Sequence, residues 1–472
     1  MTSLKQLERW EQSLELEKCF RLQRKLAALS YTGKRMSDLY NLTYWKPLVF
    51  AATKIVRSRD GAKTPGVDGK TKENIKDDRL MAEIQLELKS ESLRPSALRK
   101  VEIPKANGKV RTLSIPTYKD RVVLTILKLI LEPIYEPHFN ASSYGFRPNM
   151  STHDAIGEVK RYLGESCRYS WIIETDVKSC FDSIPKSRLI AQMEQRIADG
   201  RLLGLVGKYL HAGMAMEGFP EEEAQEWCGC PQGSPLSPLL CNIYLDSLDR
   251  FVNEHLHRLE AELHQGKTLD QKPASVRRRR SYLGSKMREA RSGPFHLIRY
   301  ADDLVIVSPA SREHVERYWH TVKQFAQERL RLQFAEEKTR IVHAADGFSF
   351  LGFHLKRIYR PDLGKHIVLT IVDPKRKERH REAIRKLLKG GHDREAGQVL
   401  TAVNQRVRGW RNYYQKSVTN CQVLGYIDQL IFWSLIKWLM KKFKAPISKV
   451  LKTFYRRITT KTGRSWKTLT IG

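Results

Sequence analysis

Acidic residues are scarce in this 472-residue chain: 52 Asp+Glu stand against 84 Lys+Arg, a formal net charge of +32. A surplus that large on a foldable chain points to a polyanion partner, nucleic acid first and an acidic membrane surface second. Long apolar runs are missing too. None reaches the ~18 residues needed to span a bilayer, which argues against a membrane-spanning helix. The opening MTSLKQLERWEQSLELEKCF carries glutamates and no apolar h-region, so no secretory signal is expected. The seven cysteines form no CxxC pair and no disulfide framework, which points to a reducing, cytoplasmic setting. With 41% hydrophobic and 9% aromatic residues, disorder is excluded as well, and the length suggests two to four domains.

The positive charge is unevenly spread. From 371 to the end there are 24 Lys+Arg and 6 Asp+Glu. Trp410, Tyr413, Tyr414, Trp433, Trp438, Phe443, Tyr455 and Trp466 are interleaved with these cations. Cations beside stacking rings are what RNA binding uses, although some of these rings must form the core of a helical domain. Residues 1–85 read as amphipathic helices broken by the loop Thr64-Pro65-Gly66-Val67-Asp68-Gly69. Residues 98–116 read as two strands around an Asn107-Gly108 turn, and 118–135 as helix. Residues 170–178 and 295–307 read as apolar strands. Residues 250–292, with Arg277–Arg280 in their middle, read as a charged helical insertion, and from about 374 the pattern is all helix. The expected fold is α+β, a mixed body followed by a basic helical tail.

Two apolar segments carry carboxylates. One is Trp171-Ile172-Ile173-Glu174-Thr175-Asp176-Val177, with Asp182 beyond it. The other is Leu297-Ile298-Arg299-Tyr300-Ala301-Asp302-Asp303-Leu304-Val305-Ile306-Val307. Adjacent acids in an apolar run are costly unless compensated. The simplest geometry is a hairpin with Asp302 and Asp303 at its tip and Asp176 on a neighbouring strand. Oxygen donors suit Mg²⁺, and two ions ~3.5–4 Å apart can activate a 3′-hydroxyl and stabilise a leaving pyrophosphate. A DD pair alone is more often a polar turn; Asp176 tips the balance toward metal. A third segment, Pro231-Gln232-Gly233-Ser234-Pro235, opens a helix bearing Leu236, Leu239, Leu240 and Ile243. Gly233 lets backbone approach a ligand and Gln232 can hydrogen-bond one, though an ordinary proline-rich loop reads the same way.

The order of these blocks resembles the reverse transcriptases encoded by group II introns, which are also maturases. Thr64–Gly69, Ile103–Arg121, Ser143–Asn149, Glu174–Ile184, Pro231–Leu240, Tyr300–Asp303, Glu337-Lys338-Thr339 and Phe350–Phe353 match in sequence order from about 30 to about 415. YADD alone is weak; eight ordered blocks are specific. Arg408-Gly409-Trp410-Arg411-Asn412-Tyr413-Tyr414 looks like the thumb, or maturase, segment. The resemblance implies a right-hand polymerase with fingers and palm, an antiparallel sheet with helices, followed by an all-helical thumb/maturase domain. The boundaries expected are 1–85 for a helical extension, 86–370 for fingers and palm, 371–440 for the thumb and 441–472 for a short basic DNA-binding segment. It assigns Asp176, Asp302 and Asp303 as catalytic ligands of two Mg²⁺ ions. It places Lys109 and Arg111 over the triphosphate, Gln232 and Gly233 beside the incoming dNTP, Lys338 near the phosphates and Phe350, Leu351, Gly352 and Phe353 at the primer end. Intron RNA would be bound by Arg408, Trp410, Arg411, Tyr413, Tyr414, Lys441, Lys442, Lys444, Arg456 and Arg457. Lys109 and Arg111 also make sense as cations bracketing a turn, with a plain basic hairpin as the competing reading. Asp182 is read as structural.

RNA-dependent RNA polymerases as a family commonly carry an Asp five residues after the first catalytic Asp, where it reads the ribose hydroxyls. Here that position is Phe181, whose ring would crowd a 2′-OH and favour deoxynucleotides; the plainer reading is core. Many members of the resembled family end in an HNH endonuclease domain, for which no His/Cys spacing is present here. The function expected is RNA-directed DNA synthesis on intron RNA, with splicing assistance and retrohoming into target DNA. It would be carried out by a ribonucleoprotein without a membrane partner, associated with the bacterial nucleoid. The alternatives are a splicing-only maturase and a host-adapted reverse transcriptase used in phage defence or CRISPR spacer capture.

Overall fold

The computed structural model describes residues 14–104, 110–164, 169–212, 214–215, 229–262, 295–391, 393–420, 422–459 and 465–469. The chain divides into two compact units, residues 1–155 with 171–341, and 156–170 with 342–472.

Helices α1 (Leu14–Ser30), α2 (Lys46–Ser58), α3 (Asp77–Lys89) and α4 (Tyr118–Tyr135) open the first unit. The start of α4 is set by Thr117, whose hydroxyl accepts from the Asp120 N–H at 3.1 Å and donates to its carboxylate at 2.6 Å, a capping arrangement. Val122, Val123, Ile126, Leu127, Ile130, Leu131 and Ile134 are all fully buried. A helix buried on nearly every side belongs at the centre of a core, and α1 and α2 pack on it. The helices expected over 1–85 as an N-terminal extension thus contribute to this core. Leu16, Leu48, Ile55 and Ile84 lie in the same cluster as Ile173 and Leu304, so the N-terminal helices share one core with α4 and the sheet.

Strands β1 (Leu98–Pro104) and β2 (Val110–Ile115) pair antiparallel, with Pro104 opposite Val110. The expected Asn107-Gly108 turn lies outside the described residues. After α5 (Thr152–Leu163) comes β3 (Trp171–Asp176), then α6 (Cys180–Ser183), α7 (Lys186–Glu194), α8 (Gly200–Leu210) and β4 (Met214–Ala215). Helix α9 (Ser237–Glu262) precedes β5 (His296–Tyr300), β6 (Asp303–Ser308), α10 (Arg312–Leu330) and β7 (Arg340–His343). The sheet that matters has the order β5-β6-β3-β7. Ile172, Ile173, Leu304, Val305, Ile306 and Val307 are buried in it. Beyond Glu262 the expected charged insertion, Arg277–Arg280 included, lies outside the described residues.

The second unit holds β8 (Phe348–Phe350), β9 (Phe353–Arg360) and β10 (Lys365–Val372) as one antiparallel sheet. Four helices follow: α11 (Pro374–Lys389), α12 (Ala396–Tyr414), α13 (Gln422–Phe443) and α14 (Ile447–Phe454). Their core includes Ile384, Leu400, Val403, Ile427, Leu435 and Leu439. Helix does not run to the end as expected. Strands β11 (Tyr455–Thr459) and β12 (Ser465–Leu469) pair antiparallel, in keeping with a stretch rich in Thr, Ile, Tyr and Trp. Strands β8–β10 also belong with the helices, not with the 86–370 body.

Candidate active site

Strand pairing brings the acids together. Asp176 ends β3 and is the register partner of Asp303, which starts β6. Tyr300 pairs with Asp303 across the β5–β6 hairpin, leaving Ala301-Asp302 as its two-residue turn. Ala301 takes φ +59°, the sign that so tight a turn needs at its first position. The Val177 N–H donates to the Asp302 carbonyl at 3.1 Å.

Asp176 is buried. One of its oxygens, Oδ2, accepts from the Lys338 ammonium; the other, Oδ1, is buried with no hydrogen-bond partner. Burial pushes the Asp302 carboxyl above its usual range, and the charge of Asp176 adds to the push. Burial opposes the charge on Lys338, but the bond to Asp176 outweighs it and raises the lysine. The site therefore holds more negative charge than one ammonium balances. An orphaned carboxylate oxygen is costly, and a hard divalent cation with oxygen ligands would relieve it. Among the described residues no three potential ligands already close into a cage. The donor chemistry nonetheless fits such a cation, with Asp176, Asp302 and Asp303 as the groups to hold it.

The loop before α9 is locked to the β1–β2 hairpin. The Ser114 N–H donates to the Gln232 carbonyl at 2.7 Å. Gly233 has φ +122°, and a Cβ there would lie 2.8 Å from the Ser114 carbonyl oxygen, so only glycine fits. The Gln232 side chain accepts from Arg111 Nε at 3.1 Å and points its amide at Asp182 at 3.4 Å. Asp182, which reads from sequence as merely structural, thus holds the glutamine expected to meet the incoming nucleotide. Phe181 is buried and meets Phe146 edge-on at 6.3 Å. Leu113, Ile115, Phe146, Gly233 and Arg59 help line a cavity of about 430 Å³ here. Lys109 lies outside the described residues.

In the second unit, Phe350 and Phe353 are buried, and the Tyr413 hydroxyl donates to the Leu351 carbonyl at 2.8 Å. Gly352, at φ +83°, would bring a Cβ to 3.0 Å from the Tyr414 hydroxyl. Leu351 and Gly352, in the turn between Phe350 and Phe353, are partly exposed. The aromatic rings expected to contact RNA between 408 and 414 pack against neighbours in the same unit. Trp410 stacks on His380 at 4.6 Å, Tyr413 stacks on Phe353 at 5.5 Å, and Tyr414 is buried, so these rings already have partners inside the unit. Arg411 is ion-paired with Asp428 and Lys442 lies over Trp438 at 5.6 Å. Arg408, Lys441 and Lys444 are exposed. The side chains of Arg456 and Arg457 lie outside the described set.

Sequence reasoning missed Arg299, Asp249, Asn242 and Ser143, which meet beneath the acid turn. A lone arginine in an otherwise apolar strand was the available signal.

Residues 103–355 match the family "Reverse transcriptase (RNA-dependent DNA polymerase)", and residues 377–457 match "Group II intron, maturase-specific domain". The chain belongs to the reverse transcriptase family, in its group II intron-encoded branch, and is an RNA-directed DNA polymerase. It is 35% identical over 354 residues to the YkfC protein of Escherichia coli, covering 71% of this chain and 88% of that one. It is 29% identical over 468 residues to the group II intron-encoded protein LtrA of Lactococcus lactis, covering 88% of this chain and 76% of that one. No helix among the described residues is long and apolar enough to cross a membrane.

Proposed function

We propose that this protein copies its intron RNA into cDNA for retrohoming and binds the same RNA to assist splicing. The observation that carries the polymerase reading is the pairing of Asp176 with Asp303 beside Asp302, with Asp176 Oδ1 buried and unpartnered. Mg²⁺ bound there, two ions in this reading, would activate the primer 3′-hydroxyl and stabilise the leaving pyrophosphate. The protein's own part is positional. Lys338 balances Asp176. Arg111 and Gln232 form a polar edge toward which a dNTP can turn its triphosphate and base. Phe181 crowds the sugar. The first unit is assigned to synthesis. The exposed cations of the second, Arg408, Lys441 and Lys444 among them, are assigned to intron RNA and target DNA, in a ribonucleoprotein of the bacterial cytoplasm.

The test is primer extension beside splicing. Asp176→Asn and Asp302→Asn should each abolish Mg²⁺-dependent extension while the protein stays folded, binds the intron and promotes splicing. Near-normal extension by either variant removes that acid from the set; loss of splicing in a folded variant refutes the separation of the two activities.

A further inference from the structure

Directly beneath the acid-bearing turn lies a fully buried ion pair. Arg299 on β5 and Asp249 on α9 are both 0% exposed. All five guanidinium N–H groups are used. Nε and Nη2 donate to the two oxygens of Asp249 at 2.7 and 2.6 Å. Nη2 also donates to the Ser143 hydroxyl at 2.8 Å, and Nη1 to the Asn242 side-chain oxygen at 3.0 Å. The fifth bond, from Nη1 at 2.9 Å, goes to the carbonyl of Ala301, the residue that immediately precedes Asp302.

Three observations indicate that this network does more than fill space. Burying an ion pair is costly, and apolar side chains of the same volume often serve stability as well or better. What apolar side chains cannot supply is a donor to the Ala301 carbonyl. Ala301 sits at φ +59°, a conformation that persists in a non-glycine residue only where its surroundings over-determine it. Those surroundings converge from separate parts of the chain. Asn242 donates to the Gly145 carbonyl at 2.8 Å, and a Cβ on Gly145 would lie 2.2 Å from the Ala301 nitrogen. Val177 holds the Asp302 carbonyl from the β3 side.

We propose that Arg299, held by Asp249, is a positioning residue for the acid-bearing turn: it fixes the Ala301 carbonyl so that the Asp302 carboxylate is set for its divalent cation. Neither Arg299 nor Asp249 touches substrate. The proposal rests on the reading of Asp302 as a cation ligand. Only a planar fork reaches all four partners at once, so lysine keeps the charge but loses the geometry.

The experiment compares Arg299→Lys, the volume-conserving double variant Arg299→Met with Asp249→Leu, and Asp302→Asn. For each, Mn²⁺ binding to the protein without nucleic acid is measured by calorimetry. Thermal unfolding, primer–template affinity, and kcat and KM for single-nucleotide extension are measured beside it. Outer supports of a cation ligand typically change affinity or activity by ~10–100-fold. Arg299→Lys should therefore fold, keep KM and primer–template affinity, and lose about tenfold or more in both kcat and Mn²⁺ affinity. The double variant, where folded, should show the same split. Unchanged Mn²⁺ affinity in Arg299→Lys, or in the folded double variant, overturns the proposal and leaves the network as packing. Asp302→Asn separates the two failures: if it still binds Mn²⁺ and extends normally, the ligand reading itself is wrong, whatever the arginine variants do.

Discussion

Replacing Gly233 by alanine should cripple nucleotide use without unfolding the protein. The new Cβ meets two obstacles. At φ +122° a side chain adds backbone strain of ~1–3 kcal/mol. It would also stand 2.8 Å from the Ser114 carbonyl oxygen, which is strand backbone and cannot swing aside. Retreat of the loop would break the 2.7 Å bond from Ser114 N–H to the Gln232 carbonyl, worth about 0.5–1.5 kcal/mol net. The combined penalty is about 2–4 kcal/mol, and at ~1.4 kcal/mol per tenfold it corresponds to roughly 30–700-fold in kcat/KM for dNTP. The assay is single-nucleotide primer extension at varied dNTP concentration, with a thermal melt as the folding check. Gly69→Ala is the control. Gly69 also has positive φ, +67°, but a Cβ there meets nothing within 4 Å, so it carries strain without collision and should change kcat/KM by less than about tenfold. A Gly233→Ala enzyme within threefold of the parent would refute the argument that this loop and β2 fix the nucleotide edge. Equal losses in both variants would refute it too.

Phe181→Val should raise ribonucleotide incorporation relative to deoxynucleotide if the ring that meets Phe146 crowds the sugar as proposed; an unchanged rNTP/dNTP ratio would leave Phe181 as packing alone. Neutralising the exposed Arg408, Lys441 and Lys444 should flatten the salt dependence of intron-RNA binding by up to ~0.7–0.9 for each cation that had been neutralising a phosphate, and an unchanged slope would place the footprint elsewhere. Burial, reinforced by the charge of Arg406, lowers His380 to about 4. Above its unfolded value near 6.5 the ring is neutral in both states. Between about 6.5 and 4 only the unfolded chain takes up the proton, so stability should fall as pH falls through that window. The slope is at most about 1.4 kcal/mol per pH unit and less with partial solvent access. His380→Phe should flatten this acid-side loss in melts between pH 7.5 and 4.5, and an identical profile would refute it.

What is legible in the sequence is whatever breaks a local pattern. Asp176 and the Asp302-Asp303 pair stand out because they interrupt β-periodic apolar runs, and the structure puts them on adjacent paired strands. The helix over 118–135 and the hairpin from 98 to 116 are readable from apolar density and turn chemistry. The residues that fit their local pattern mislead. Trp410 and Tyr414 look like exposed stacking rings because cations surround them. Yet Val403, Val407, Trp410 and Tyr414 recur at helical spacing, and this is the face α12 turns inward. That periodicity is present in the sequence and outweighs the charge count. Arg299 interrupts the apolar run of β5, but nothing local says what it holds. Its partner Asp249 is fifty residues earlier on a different element, and in one dimension Asp249 reads as an ordinary charged residue. A buried pair of this kind acquires meaning only when the sheet and α9 pack. The acids that would do the chemistry are therefore written in the local sequence, whereas the contacts that hold them still are written in the fold.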